Sequence, residues 1–271
     1  MIDLASYQRD GFLVLPDFLP PADCDALQVR AAELVAAFDT GSDSGAVRTV
    51  FSSHDQAHAK AHYFRESGGA IRFFFEEQAT DQPTALALNK IGHALHDLDP
   101  VFDRISRQPR MAALAQALGF ARPLLLQSMY LFKQPHIGAE VSWHQDAAYL
   151  HTVPSTVTGF WIALDDADRD NGCLMALRGA HRGPLRERFR AQGGELAIEI
   201  LDRSPWPDAA PVALEAKRGT LVVLNGLLPH ASAPNRSARA RHAYALHLID
   251  GHAEYSPDNW LQRPDLDLRG F

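Results

Sequence analysis

Ser142-Trp143-His144-Gln145-Asp146 sets an imidazole and a carboxylate two residues apart, so on an extended segment both side chains leave the same face. One neutral imidazole and one carboxylate on a common face are two of the three donors of a 2-His-1-carboxylate triad. Such a triad holds Fe(II) on one side and leaves the remaining positions open for substrate and O2. The motif alone carries little weight. With 13 His and 33 acidic residues among 271, chance supplies roughly 1.6 His-x-Asp/Glu matches. The chain holds two, the second being His252-Ala253-Glu254.

The third donor must come from a later strand. His151 is too close in sequence to reach back, and His181 lies in an Arg-rich loop with no strand before it. His230 follows Gly219-Thr220-Leu221-Val222-Val223-Leu224-Asn225, which reads as a buried strand ending in a turn. Further on, Arg241 opens the strand Arg241–Leu248, where a guanidinium can pair in bidentate fashion with a carboxylate beside the metal. His144, Asp146, His230 and Arg241 together are far more specific than the first motif.

Around these residues the chain reads as α+β. Gly11–Leu15 is a short strand stopped by Pro16, and Leu27, Ala31, Leu34 and Phe38 recur at helical spacing. Residues 40–60 are polar and aperiodic and read as a surface loop, in which His54 and His58, with His62 just beyond, read as surface histidines. Ile71–Phe75 reads as a strand. Leu88, Ile91 and Leu95 then mark one predicted helix, and Met111, Leu114, Ala115 and Leu118 a second that Gly119 can end in a left-handed cap. From residue 123 short strands alternate with turn residues: 124–133, 157–164, 173–177, 212–216, 220–225 and 241–249, with Asp170-Asn171-Gly172 as a tight turn. This order predicts a jelly roll with flanking helices, mostly N-terminal. We expect one domain over 1–271, with N-terminal elements to residue 122, a core over 123–250 and a tail over 251–271.

Composition narrows the function. A net charge of −7 offers no basic excess for nucleic acid or anionic membranes. The two cysteines, Cys24 and Cys173, read as core residues rather than a disulfide framework. With no apolar run near 18 residues and no charged leader before an apolar stretch, the expected location is cytoplasmic.

These stretches resemble the phytanoyl-CoA dioxygenase family of Fe(II)/2-oxoglutarate oxygenases, and the similarity runs over nearly the whole chain. It is carried by Gly11–Leu19, Ile71–Glu76, Asn89–His96, Gln127–Tyr130, Phe132–His136, Ser142–Asp146, Asn171–Leu174 and Ser256–Gln262. The resemblance implies a double-stranded β-helix with Fe(II) on His144, Asp146 and His230. It also places Lys90, Met129, Trp161, Ser232 and Arg241 against 2-oxoglutarate. Lys90, on a predicted helix outside the barrel, reads on residue grounds alone as a solvated lysine that only the resemblance raises, while Met129 and Trp161 offer apolar walls for the methylenes of the co-substrate, the alternative being plain core packing. Ser232 is suited to donate its hydroxyl to the distal carboxylate held by Arg241. Lys133, His136, Trp143, Gln145 and Tyr149 flank the motif and are the expected substrate side. Arg178, Arg182, Arg186, Arg188 and Arg190 form a basic stretch that either meets an anionic substrate or is a solvated loop. Leu177-Arg178-Gly179-Ala180-His181 departs from the Pro-Gly-Ser-His turn usual in the family.

The activity implied is hydroxylation of an unactivated C–H of a small organic substrate, with O2 consumed and 2-oxoglutarate converted to succinate and CO2. Asp146 stands where halogenases of this broader class carry Ala or Gly, which favours hydroxylation over halogenation. The alternative class is a non-catalytic jelly roll that binds a small molecule or a metal.

Overall fold

The computed structural model describes residues 2–40, 49–51, 62–79, 81–192 and 195–271. The N-terminal part comprises α1 (Leu4–Asp10), β1 (Phe12–Leu15), α2 (Pro21–Thr40), β2 (Val50–Phe51), α3 (His62–Arg65), β3 (Ile71–Glu76), α4 (Thr84–Ala87), β4 (Leu88–His93), α5 (Leu95–Leu98), α6 (Pro100–Ser106) and α7 (Pro109–Ala117). Strands then dominate: β5 (Pro123–Leu131), β6 (Val141–His144), β7 (Thr152–Val153), β8 (Thr158–Ala163), β9 (Leu174–Ala176), β10 (Glu187–Gln192) and β11 (Glu195–Ile200). They are followed by β12 (Val212–Leu214), β13 (Leu221–Asn225), β14 (His230–Ser232), β15 (Ala243–Asp250) and β16 (Glu254–Tyr255).

Two sheets face each other in the jelly-roll manner. The larger has the order β1-β13-β8-β15-β5-β4-β3-β2, the smaller β12-β9-β14-β6. Every pairing within them is antiparallel except β2 with β3.

Side-chain parity divides the large sheet into two faces. Phe160 and Ile162, Leu221 and Val223, and Tyr244, Leu246 and Leu248 point outward into the main core, where Leu27 and Ala31 of α2, Phe102 and Ile105 of α6 and Met111, Leu114 and Ala115 of α7 cover them. Trp161 and Ala163, Val222 and Leu224, and Ala243 and Ala245 point inward toward Leu174, Ala176 and Leu214 of the small sheet. Covered on both faces, all eight residues of β15 are buried. Its near-continuous apolar sequence follows from that double cover, with roughly 1.5–3 kcal/mol gained per large apolar side chain withdrawn from water.

Several sequence expectations are corrected. Leu88, Ile91 and Leu95 do not share a helix: Leu88–His93 is strand β4, paired with β3 and β5, and only Leu95–Leu98 is helical. The 3.6-residue spacing was misleading, because a strand buried on both faces has no alternation to display. Val50-Phe51, inside the predicted loop, pairs with β3, while His54 and His58 lie outside the described residues. Helices α1 and α6 were not foreseen, and β10 (Glu187–Gln192) pairs antiparallel with β11 (Glu195–Ile200) where the arginine-rich stretch was weighed as a solvated loop. Gly119 has the expected left-handed conformation, φ +96°. Both cysteines are buried and free.

Candidate metal and co-substrate site

His144 ends β6 and His230 begins β14, and the two strands set these residues directly opposite each other. Their rings lie 4.2 Å apart, centroid to centroid. Asp146 follows at the start of a one-turn 3₁₀ segment and returns its carboxylate to the same face. Its Oδ1 is 3.8 Å from His144 Nε2 and 3.7 Å from His230 Nε2. One ligand atom from each residue falls within 4.8 Å of the other two. Bonds from a first-row ion to such ligands are roughly 2.0–2.2 Å long, so one ion can bridge these atoms.

The imidazoles are oriented by main chain. Nδ1 of His144 lies 2.8 Å from the Ser142 carbonyl, and Nδ1 of His230 lies 3.0 Å from the Leu228 carbonyl. A carbonyl only accepts, so each Nδ1 carries the proton and each Nε2 presents its lone pair to the metal position. Burial, and next the adjacent His230, push His144 down to about 4, which leaves its imidazole neutral at physiological pH. Burial alone would raise Asp146, but the His247 and His230 imidazoles outweigh it and hold the carboxylate below its ordinary range. The second carboxylate oxygen, Oδ2, is buried without a hydrogen-bond partner and sits 3.3 Å from His247 Nε2. Gly159, paired with His247 across β8 and β15, is what admits it: a Cβ there would come within 3.0 Å of Oδ2.

A second cluster lies in the same cavity. Arg241, 3 % exposed, stacks on Trp161 at 5.3 Å and donates through Nη2 to Ser232 Oγ at 3.2 Å. Its Nε and Nη1 are buried with no hydrogen-bond partner among the described residues. Lys133, also buried, donates to the same Oγ at 2.8 Å and to the Ala139 carbonyl at 2.9 Å. Ser232 spends its own proton on the Gly172 carbonyl, 2.8 Å away. Ser232 is therefore an acceptor that gathers two cations, not the donor expected from sequence. The Asp170-Asn171-Gly172 turn makes this possible. Gly172 has φ +80°, and a Cβ would lie 2.4 Å from the Ala233 carbonyl and 2.6 Å from Lys133 Cε, so only glycine brings that carbonyl to Ser232. Burial lowers both cations, Arg241 to about 10 and Lys133 well below the ordinary lysine range, the latter also through Arg241. Neither has a carboxylate at ion-pair distance among the described residues.

Lys90 is corrected from a solvated helical lysine to a buried residue of β4, with Nζ 5.6 Å from the Phe74 ring centre. Burial lowers it to about 7 against the pull of Glu76. Arg241 precedes its strand by two residues, since β15 begins at Ala243.

All of the triad, Lys90, Met129, Trp161, Ser232 and Arg241 line one cavity of about 450 Å³, as do Lys133, Trp143 and Tyr149 from the expected substrate side. Gln145 and His136 do not. Gln145 points away from His144 and Asp146, as strand parity requires, and ties Pro184, Leu227 and Arg186 together. His136 sits in the turn after β5 with φ +60°. His181 and His252 are elsewhere, against Gln8 and Asp250. The 177–181 turn forms despite its departure, because Gly179 keeps φ +75°. Sequence reading missed His247, Gly159, Glu76 and Glu187, all lining the cavity. Parity could have found two of them, since 247 shares the face of Arg241 and 159 that of Trp161.

Among the described residues no helix is long and apolar enough to cross a membrane. Residues 7–243 match the phytanoyl-CoA dioxygenase family, PhyH. The chain is 42 % identical over 274 residues to phytanoyl-CoA dioxygenase domain-containing protein 1 of Bos taurus, covering 96 % of this chain and 93 % of the other. Against a phytanoyl-CoA dioxygenase of Arabidopsis thaliana the identity is 40 % over 265 residues, with 95 % and 91 % covered. The fold is similar to a crystal structure of the epimerase SnoN from nogalamycin biosynthesis, in complex with Fe3+, alpha ketoglutarate and nogalamycin RO. That match has a TM-score of 0.68 at 18 % identity and covers 98 % of this chain and 91 % of the other. The chain belongs to the phytanoyl-CoA dioxygenase family and is an iron- and 2-oxoglutarate-dependent dioxygenase.

Proposed function

We propose that this protein hydroxylates an unactivated C–H of a small organic substrate, releasing succinate and CO2 from 2-oxoglutarate. The observation that carries the reading is the meeting in one cavity of the His144–Asp146–His230 group with Arg241, whose buried Nε and Nη1 lack hydrogen-bond partners among the described residues. In this reading His144, Asp146 and His230 would hold the iron. Bound iron with 2-oxoglutarate supplies O2 activation, which no side chain of the chain can supply itself.

The protein's own part is orientation and exclusion of water. Arg241 takes the distal carboxylate of 2-oxoglutarate with its unpaired N–H groups, and Lys133 supplies a second positive charge at the same serine. Two cations buried without a carboxylate are costly, and a dianionic co-substrate offsets that cost. Trp161 and Met129, paired through Ala245 on β15, provide apolar walls for its methylenes. Lys90, on β4 opposite Leu131 of β5, is assigned to the same co-substrate pocket.

The test is succinate formation from 2-oxoglutarate across a metabolite library, scored above the substrate-free background, with Asp146→Ala as the blank. A substrate-dependent rise in the wild type alone is the expected result. Tight binding of iron and 2-oxoglutarate without succinate under any substrate would leave a binding module instead.

A further inference from the structure

Strand β10 presents opposite chemistry on its two faces. Arg188 and Arg190, with Arg186 just before the strand, leave one side, Glu187 and Phe189 the other. The arginines, which in sequence could have met an anionic substrate, are occupied by the protein's own acids. Arg186 lies 3.6 Å from Asp202, Arg188 2.5 Å from Asp258, and Arg190 2.8 Å from Glu199 and 2.9 Å from Asp258. Glu187 faces the cavity, half-buried, with no ion pair among the described residues. Burial alone raises its carboxyl above the ordinary range.

Beside Glu187 stands an aromatic wall. Phe64 and Trp260 stack at 4.4 Å, and Phe189 lies 6.3 and 6.4 Å from their centres. Phe189 is 5.8 Å from Tyr149, which is 6.0 Å from the ring of His144. The wall therefore runs from Glu187's neighbour to a metal ligand. A lone carboxylate sharing a cavity lining with Phe64, Phe189 and Trp260 attracts a cation by charge, and an aromatic ring whose face the cation meets adds the attraction of its quadrupole. A phosphate or carboxylate at the same place would meet Glu187 and find no free arginine on this strand.

We propose that the substrate of this site is a small organic cation, its ammonium group seated between Glu187 and the Phe189–Phe64–Trp260 wall while the rest of the molecule reaches the triad. The proposal rests on the dioxygenase reading for the word substrate, but the subsite is tested by binding alone.

The probes are choline, its neutral isostere 3,3-dimethylbutan-1-ol, and the anion 3,3-dimethylbutanoate. Each is titrated by saturation-transfer NMR into the full chain loaded with Zn(II) in place of iron and with 2-oxoglutarate. Choline should bind about tenfold or more tighter than the alcohol, which is ~1.4 kcal/mol, and the anion weakest. Glu187→Gln should remove the preference for choline and leave the alcohol unchanged, which also reports that the variant is folded. An alcohol or anion that binds as well as choline, choline that fails to saturate, or a preference that survives Glu187→Gln overturns the cation subsite. Absence of 2-oxoglutarate turnover with every substrate would instead reject the reading beneath it and leave these affinities standing.

Discussion

Replacing Arg241 by Leu separates the co-substrate clamp from the metal centre. The guanidinium is 3 % exposed, and two of its three nitrogens have no hydrogen-bond partner among the described residues, so the substitution deletes two unused donors together with the Nη2 bond to Ser232. Removing one member of a buried charge pair costs on the order of 2–5 kcal/mol. Lys133 remains on Ser232 Oγ at 2.8 Å and still offers a hydrogen-bond donor there, which places the loss in the lower part of that range. At ~1.4 kcal/mol per tenfold, 2-oxoglutarate affinity should fall roughly 30- to 300-fold. Fe(II) binding should stay within about twofold, because Arg241 contacts none of the three metal-site residues. The control is Arg239→Leu: Arg239 is exposed and pairs with Asp168 at 2.5 Å, outside the cavity. Titration of 2-oxoglutarate into anaerobic Fe(II) protein, followed by the metal-to-ligand charge-transfer band, measures both. Unchanged affinity in Arg241→Leu, or an equal loss in Arg239→Leu, would refute the clamp.

Four further outcomes are expected. His144→Ala or Asp146→Ala should abolish Fe(II) binding measured by metal analysis after desalting, whereas His252→Ala, a largely exposed residue paired with Asp250, should leave it intact. Gly159→Ala pushes a methyl to within 3.0 Å of Asp146 Oδ2 and should weaken Co(II) affinity about 10- to 100-fold with an unchanged circular dichroism spectrum. Ala245→Leu, between Met129 and Trp161 on the inner face, should fill the co-substrate space and cost 2-oxoglutarate affinity more than it costs melting temperature. The fourth concerns Asp97, whose side chain is enclosed by Arg107, Arg263, Arg269 and His96. Burial works against its charge, but these partners hold its pKa below the ordinary range. A depressed carboxylate contributes its full stabilisation above the unfolded value of about 4 and loses it as pH falls further. Asp97→Asn should therefore cost about 3–5 kcal/mol at pH 7, and the gap in urea-melt stability should narrow below pH 4; a constant gap would refute the charge-based account.

How much of this could be read from the residues depended on whether a local rule or a tertiary one was in control. The strands of the core and the helices around Leu27 and Met111 were legible because each buries one face, or is short and bounded by turn residues. The triad was legible because His-x-Asp fixes a common side by parity, and because a buried strand before His230 announces a position opposite. β4 was not: Leu88, Ile91 and Leu95 mimic a helical stripe, and only the neighbouring strands β3 and β5 decide that Leu88–His93 is extended. Lys90 was misplaced with it, since nothing local says that its ammonium lies under Phe74. The role of Ser232 was half legible. Its nearness to Arg241 follows from chain position, but the direction of its proton is set by the Gly172 carbonyl, 60 residues away.

The cavity exists because of residues that carry no chemistry. Inward positions of a jelly roll are ordinarily filled by large apolar side chains that interlock with the opposite sheet. Here the inner face of β15 reads Ala243, Ala245, His247, and β8 contributes Gly159 before Trp161. Ala245 stands opposite both Met129 and Trp161, so the small residue is flanked by the two expected apolar walls. His247 stands opposite Gly159 and Gln127, so the imidazole nearest Asp146 Oδ2 has a glycine at its side. The same parity turns the alternate residues of β15, Tyr244, Leu246 and Leu248, outward, where they fill the outer core without entering the site. Stability and chemistry are thus assigned to alternate residues of one strand, which is why substitutions such as Ala245→Leu are expected to affect ligand binding while sparing the fold.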